Sequence, residues 1–258
     1  MIPPMRPLAS PGSGRALAGA ALAAPLGLAA AWSVPALAPV VPALADALGI
    51  PTRTAAHGAV ALTFDDGPHP QGTPAVLDVL AAAGASATFF LVGTQVLRSP
   101  ALAAELVAAG HAVAVHGYRH RNLLRIPPRA LEADLDRAAA VIADATGVAP
   151  ALHRPPYGIY SWPALKAVRA RGWTPVLWSR WGRDWRRSAT PDGIAVTVAG
   201  GVRGGDVLLL HDADDYSVPG SWRATAAALP RVLEAVAASG LTLVPLSAEA
   251  DLAQPSGR

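Results

Sequence analysis

The chain has no cysteine, which excludes disulfide bonds, thiolate nucleophiles and cysteine metal ligands. A bound metal ion would therefore have to be held by histidine or carboxylate side chains. Charge is also scarce, because charged residues make up 15% of the 258 residues, against an average of about 25% in soluble proteins. Lys166 is the single lysine, and the arginines are spread through the chain. The sequence contains no dense basic run with interleaved aromatic residues, which argues against a nucleic-acid partner.

The N-terminal region contains an uncharged stretch, residues 16–45, preceded by Arg6 and Arg15. A positive flank before a long apolar run is typical of a signal peptide or a membrane anchor. We therefore assign residues 1–55 to such a leader plus a linker, and expect an exported or membrane-anchored protein whose remaining chain lies outside the cytoplasmic membrane. Ala43-Leu44-Ala45 would serve as a cleavage site, although cleavage itself stays open. The alternative is a disordered alanine- and proline-rich leader on a cytosolic protein.

Short apolar segments alternate with helix-length segments between residues 56 and 250. Strand-like composition is found in seven of them: Ala59–Phe64, Ala87–Val92, Ala112–Val115, Ala151–His153, Thr174–Ser179, Asp206–Leu210 and Leu241–Pro245. Such alternation predicts an α/β fold with a parallel sheet, and the number of repeats favours closure into a barrel of seven or eight strands. We assign residues 56–250 to this domain and residues 251–258 to a tail.

Polar side chains follow most of these predicted strands directly. Where (β/α) barrels carry reactive residues, they lie at the carboxyl ends of the strands. The polar residues at such positions are Asp65 and Asp66 after the first strand, His116 after the third, Arg154 after the fourth, Asp184 after the fifth and His211 after the sixth. The pattern indicates one reactive face rather than scattered structural polar groups.

The segment HGYRH sets His116 and His120 four residues apart, a spacing that places both imidazoles on one side of a helical turn. Two histidines and a carboxylate are a usual ligand set for a divalent cation. A lone pair of this kind is more often accidental, but the acids at another strand end favour a metal site. Two adjacent acids can divide the work, since one can bind the ion while the other accepts a proton from water whose pKa the ion lowers.

Five segments, in the order LTFDDGPHP, HGYRH, RPPYG, WGRDW and LLLHD, resemble the motifs of the polysaccharide deacetylase family. This family is also known as carbohydrate esterase family 4 or the NodB-homology domain. The resemblance covers about residues 57–247, and TFDDGP and RPPYG are its most specific strings. It implies a distorted (β/α) barrel that hydrolyses N-acetyl, sometimes O-acetyl, groups of a glycan such as a chitin oligomer or peptidoglycan. It also implies a divalent metal, with zinc as first choice and cobalt, manganese or nickel as alternatives.

The resemblance implies a role for each residue that matches a motif. Asp65 would be the general base that acts on metal-bound water, and His211 the general acid. Arg154 would orient Asp65, and Asp184 would orient His211. The metal ligands would be Asp66, His116 and His120. Structural readings of two of these residues stay open, since Arg154 could form only an ion pair and Asp184 could be a solvated loop residue.

The substrate side is expected to involve four further residues. In the family pattern the backbone N–H of Tyr157 would help to hold the oxyanion, and Leu209 would line a small pocket for the acetyl methyl group. Trp181 and Trp185 lie in a predicted loop, and their faces suit the apolar side of a sugar ring. Trp178 lies in a predicted strand and is assigned to the core.

Two positions depart from the family pattern. Gly117 stands where serine or threonine is usual, and Trp181 stands where many relatives carry an acid, which leaves the metal affinity and the acetyl pocket open. Two other functions also stay open: the same fold and metal acting on a small non-sugar amide, and a catalytically weak glycan-binding module. The sequence does not indicate an oligomeric state.

Overall fold

The structure is a computed structural model that describes residues 32–247. Its strands within this range are β1 Ala59–Asp65, β2 Thr88–Leu91, β3 Ala112–Val115, β4 Leu152–His153, β5 Thr174–Pro175, β6 Arg180–Trp181, β7 Val207–His211 and β8 Thr242–Leu243. Its α-helices are α1 Pro42–Ala47, α2 Gly72–Ala82, α3 Gly93–Arg98, α4 Pro100–Ala108, α5 Pro128–Thr146, α6 Trp162–Ala170, α7 Pro191–Ala199 and α8 Ser221–Ala238. Three short 3₁₀ helices are Val34–Leu37, Leu123–Arg125 and Pro156–Gly158. The predicted tail, residues 251–258, lies outside the described residues.

The strands form one curled parallel sheet in the order β5-β4-β3-β2-β1-β7-β6, and β8 pairs with the first two residues of β1. Helices connect the consecutive strands except β5 and β6, which lie at opposite edges and do not pair with each other. In the central pairing of β1 with β7, Asp65 lies opposite His211. The predicted α/β fold with a distorted barrel is therefore confirmed, and the strand ends meet on one face.

The apolar run of β1 is explained by its place in the middle of the sheet, where all seven of its residues are buried. Successive side chains point to opposite sides of the strand. Leu62 and Phe64 belong to a core cluster shared with helices α2 and α8, whereas Ala61 belongs to the second core cluster. Thr63 and Asp65 share the side of Ala61, so the polar groups of β1 point into the barrel.

The sequence predicts one strand over Thr174–Ser179, and that prediction is wrong after Pro175. The segment starts as β5 against β4, and the chain forms a strand again only at β6, against β7, so residues 176–179 cross the opening of the curled sheet. In the gap, the Leu177 N–H donates to the carbonyl of Pro51 at 2.9 Å. The ladder is interrupted because the chain changes its partner strand between the two edges.

Residues 34–53, which belong to the range 1–55, contact the barrel in several places. Ala38, Ala45 and Ile50 are buried in the second core cluster. Arg53 forms an ion pair with the buried Asp206 at 2.8 Å. The leader predicted for residues 1–55 begins outside the described residues and stays a prediction. Of the helices in residues 32–247, none is both long enough and apolar enough to cross a membrane.

The packing of residues 34–53 predicts a large stability effect at Ile50, which is 1% exposed. Ile50→Ala should lower the free energy of unfolding by about 2–5 kcal/mol, because it removes buried methyl groups and leaves a cavity. Leu37→Ala is the matched control, since Leu37 is 53% exposed and its truncation should cost far less. Chemical denaturation of both variants measures the difference. Equal effects of the two substitutions would show that the segment does not pack as described.

Candidate active site

The structure brings the predicted polar residues to the carboxyl ends of the strands. Asp65 and His211 are the last residues of β1 and β7, and His116 and Arg154 directly follow β3 and β4. Asp66 has a φ of 82°, in the left-handed region that non-glycine residues rarely adopt. Backbone strain of this kind is found mainly at functional sites, where the surrounding structure holds it in place. Here it turns the second acid of the pair away from the path of β1.

Asp66, His116 and His120 converge into a group that fits a metal ion. Oδ1 of Asp66 lies 3.4 Å from Nε2 of His116 and 3.2 Å from Nε2 of His120. Although it is buried, this oxygen makes no hydrogen bond to the described residues. Burial acts to raise the pKa of Asp66, but its interactions with His116 and His120 and the charge of His211 outweigh burial, so the pKa lies below its ordinary value.

The orientation of His116 is fixed by its other ring nitrogen. Nδ1 of His116 lies 2.9 Å from the carbonyl oxygen of Arg154, and because a carbonyl only accepts, Nδ1 carries the proton. The lone pair of Nε2 then faces Asp66. A hydrogen bond from the second nitrogen to a carbonyl is the usual support of a metal-binding histidine.

His116 and His120 do not lie on a helical turn, so that part of the sequence prediction is wrong. The segment is an irregular loop in which Gly117 has a φ of 95°. The buried Asp134 of α5 holds the loop by accepting hydrogen bonds from the N–H of Tyr118 at 2.8 Å and from Arg121 at 2.5 Å. The two imidazoles therefore come together because Gly117 allows the loop to turn and Asp134 holds the turned loop in place.

Asp65 is held by a guanidinium inside the barrel. Nη1 of Arg154 donates to Oδ1 of Asp65 at 2.7 Å and to Oγ1 of Thr63 at 2.8 Å, and Nη2 donates to the Leu177 carbonyl at 3.1 Å. Oδ2 of Asp65 lies 3.9 Å from Nε2 of His116. One carboxylate oxygen is thus engaged by Arg154, while the other faces the histidine of the candidate metal group.

His211 is paired with a buried carboxylate. Its Nδ1 lies 2.9 Å from Oδ1 of Asp184, whose other oxygen accepts from the N–H of His211 at 2.7 Å and from Thr225 at 2.8 Å. Burial lowers the pKa of His211, but the charge and the hydrogen bond of Asp184, followed by the charges of Asp66 and Asp65, outweigh it and raise the pKa to about 10. The imidazole is therefore protonated near neutral pH.

A cavity of about 300 Å³ is lined by Asp65, Asp66, His116, His120 and His211, whereas Arg154 and Asp184 are not among its lining residues. All four residues predicted for the substrate side also line it: Tyr157, Leu209, Trp181 and Trp185. Trp185 contacts His211 edge to face, with ring centroids 5.4 Å apart. Trp178, assigned to the core, is 7% exposed and also lines the cavity. A larger surface groove of about 790 Å³ beside α8 and β8 contains none of the candidate catalytic residues.

Several residues that support the site were not predicted from the sequence. Asp212 is buried beside Gly67 and accepts a hydrogen bond from Thr73, and burial raises its pKa to about 7. A side chain at position 67 would collide with its carboxyl group, which explains the glycine in DDGP. Tyr216 also lines the cavity. Asp212 could have been found from the sequence, because it is the last residue of the LLLHD segment. Tyr216 lies in a loop without a recognisable pattern.

Comparisons with known proteins identify one family. The polysaccharide deacetylase family model matches residues 52–176. A chitooligosaccharide deacetylase of Bradyrhizobium sp. (strain ANU 289) is 42% identical over 59% of this chain and 70% of the relative. A peptidoglycan-N-acetylglucosamine deacetylase of Bacillus cereus is 35% identical over 73% of this chain and 86% of the relative. The structure of a family 4 carbohydrate esterase from Streptomyces lividans in complex with acetate matches with a TM-score of 0.68 and 32% identity, over 78% of this chain and 100% of that one.

The pairing of His211 with Asp184 predicts a measurable change in titration. In Asp184→Asn the pKa of His211 should fall from about 10 toward the ordinary value of histidine, because the largest contribution that raises it is removed. The imidazolium would then be lost at lower pH than in the unchanged protein. NMR titration of the imidazole C–H signals of His211 in the variant and in the unchanged protein measures this. An unchanged pKa of His211 would contradict the pairing.

Proposed function

Since this chain belongs to the polysaccharide deacetylase family, we propose that it removes acetyl groups from N-acetylated sugars of a glycan, a chitin oligomer or peptidoglycan. As a member of this family it is a hydrolase of the deacetylase type. The observation that carries the proposal is the placement of Asp65 and His211 beside the group of Asp66, His116 and His120, in one cavity. A general base, a general acid and a ligand set are together what amide hydrolysis requires.

We propose that Asp66, His116 and His120 hold a divalent metal, with zinc as the first candidate. Two imidazole nitrogens and one carboxylate oxygen suit zinc and leave positions open for substrate. The buried Oδ1 of Asp66, which lacks a hydrogen-bond partner among the described residues, supports this fit. When bound, the ion supplies a positive charge that polarises the acyl oxygen and lowers the pKa of water.

Asp65 acts as the general base in this proposal. Arg154 occupies its Oδ1, so that Oδ2, which faces the ligand group, receives a proton from the attacking water. The water oxygen forms a bond to the acyl carbon, and the backbone N–H of Tyr157 stabilises the negative charge that develops on the acyl oxygen. Tyr157 has a φ of 61° in the short helix after Arg154, in the left-handed region, and Gly158 after it has a φ of 72°.

His211 acts as the general acid. Nδ1 is engaged by Asp184, which leaves Nε2 as the nitrogen that donates a proton to the departing amine. As the carbon–nitrogen bond breaks, the products are acetate and a free amino sugar. The raised pKa of His211 supports this role, because the imidazole holds its proton until the leaving group needs it.

Substrate contacts are proposed for the apolar part of the cavity. Leu209 lies two residues before His211 in β7, on the same side of the strand, and is buried, which suits a wall for the acetyl methyl group. Trp181 and Trp185 contact each other with ring centroids 5.2 Å apart and offer aromatic surface for a sugar. Trp181 replaces the acid that many relatives carry, so the sugar would meet an aromatic ring there instead of a carboxylate.

Acetate release from chitin oligomers and from peptidoglycan, with and without a chelator, tests the function. We expect chelator-sensitive release from at least one of these glycans, and Asp65→Asn should reduce turnover by about 10²–10⁴-fold, as loss of general base catalysis does. The bound metal should stay, because Arg154 and not the metal holds Asp65. His120→Ala is the matched variant that should lose the metal itself.

Three results would contradict the proposal in different ways. Full activity of Asp65→Asn would remove its role as the base. Hydrolysis confined to small non-sugar amides would change the substrate, and glycan binding without any acetate release would indicate a binding module.

We also propose that the chain is exported or membrane-anchored through its N-terminal region, which would bring it to a cell-envelope glycan. The proposal rests on the uncharged stretch of residues 16–45 behind Arg6 and Arg15. Fractionation of cells that express the full chain, combined with external protease treatment, should find the domain in a protease-accessible fraction outside the cytoplasm. A wholly cytosolic, protease-protected protein would refute it.

A further inference from the structure

Tyr216 lies flat against one of the candidate metal ligands. Its ring is stacked on the imidazole of His120, with centroids 4.1 Å apart and an angle of 9° between the planes. The ring of Tyr157 contacts the same imidazole edge to face, with centroids 4.6 Å apart. We propose that Tyr216 is a positioning residue that fixes the His120 ring for metal binding. This inference rests on the metal site of the proposed function and is independent of the substrate.

No group within residues 32–247 gives His120 the hydrogen-bond support that a metal-binding histidine normally has. Such a histidine almost always donates its second ring N–H to a carboxylate, a carbonyl or water, which fixes the plane of the ring. His116 has this support from the carbonyl of Arg154. Nδ1 of His120 is buried and has no hydrogen-bond partner among the described residues. The plane of the His120 ring must therefore be fixed in another way.

Position 117 does not provide the missing hydrogen bond. Gly117 has no side chain, and its φ of 95° is unfavourable for residues with a Cβ. A Cβ at this position would also lie 3.2 Å from the carbonyl oxygen of Arg119, so the loop has adopted a path that depends on glycine. A hydroxyl side chain at position 117 is thus absent from the sequence and is also disfavoured by the backbone conformation.

The two aromatic rings provide the constraint instead. The stacked Tyr216 ring resists tilting of the His120 imidazole. Tilting would push one edge of the imidazole into the tyrosine ring and open a gap at the other edge. Tyr157 limits the same movement through its edge contact. Nε2 of His120 consequently stays directed at Oδ1 of Asp66, 3.2 Å away, without any hydrogen bond at Nδ1.

Tyr216 is itself held in place from outside the candidate metal group. Its hydroxyl accepts a hydrogen bond from Nε2 of Gln95 at 3.4 Å, and Gln95 is a buried residue of α3. Oε1 of Gln95 in turn accepts from Arg98 at 3.0 Å. Asp214 lies two residues before Tyr216 in the same loop. Its Oδ1 is 3.2 Å from Nε2 of His69, which belongs to the loop after β1. The loop that carries Tyr216 is therefore tied to two other parts of the barrel.

Zinc binding to the metal-free protein tests the inference without any substrate. In competition with a chromophoric chelator, Tyr216→Leu should bind zinc about ten-fold more weakly, in line with the loss of other outer supports of metal ligands. Tyr216→Phe should stay within about two-fold of the unchanged protein, because it keeps the stacked ring and loses only the hydroxyl. The cobalt-substituted proteins provide a second readout, since a misplaced imidazole alters the visible absorption bands in Tyr216→Leu but not in Tyr216→Phe.

Controls separate the possible failures. Trp162→Ala removes a half-exposed aromatic residue outside the cavity and should leave zinc affinity unchanged. Thermal melts of the metal-free variants identify any general loss of folding, and Tyr216→Ala is a second variant without the stacked ring. If Tyr216→Leu and Tyr216→Ala bind zinc as tightly as the unchanged protein, the inference is overturned while the metal site stands. If the unchanged protein binds no zinc or cobalt, the proposed metal site fails, and this inference fails with it.

Discussion

The buried guanidinium of Arg154 connects the two halves of the candidate site. Its side chain donates hydrogen bonds to Asp65 and Thr63, while its backbone carbonyl accepts a hydrogen bond from Nδ1 of His116. The residue is fully buried, and its guanidinium lies over the ring of Phe90, 4.0 Å from the centroid. A charge in this position is tolerated only because the carboxylate and several oxygen acceptors replace its water. The proposed base, Asp65, and one proposed metal ligand, His116, therefore share a single support.

Much of the fold was predictable because strand and helix segments alternate clearly along the chain. The strand β1 was visible as an apolar run, since a central parallel strand is covered on both faces. The break in Thr174–Ser179 was not predictable, because it depends on where the curled sheet opens. The contribution of Pro51 to that gap was equally hidden, since it comes from a segment whose composition indicates a leader. Long-range closure of this kind leaves no mark in local composition.

The candidate site was predictable where a residue belongs to a short motif and follows a strand. Asp65, Asp66, His116 and His211 are of this kind, and the barrel brings their side chains together. The supports were harder to find, because Asp134 lies in a helix where an acid is ordinarily a surface residue. Here it is buried and holds the loop of the two histidines. Tertiary packing determines which neighbour a side chain stabilises, and this cannot be predicted from the local sequence pattern.

The register of β1 against β7 has a consequence for how this catalytic arrangement can vary. Asp65 and His211 face each other across one rung of the parallel ladder. Neighbouring strands are about 4.8 Å apart, so the backbone itself sets the spacing between the proposed base and the proposed acid. The loops beyond the strand ends can then change in length and composition without altering that spacing. In this arrangement the two proton-transfer groups are fixed by the sheet, whereas contacts carried by the loops, such as those of Trp185, are free to vary.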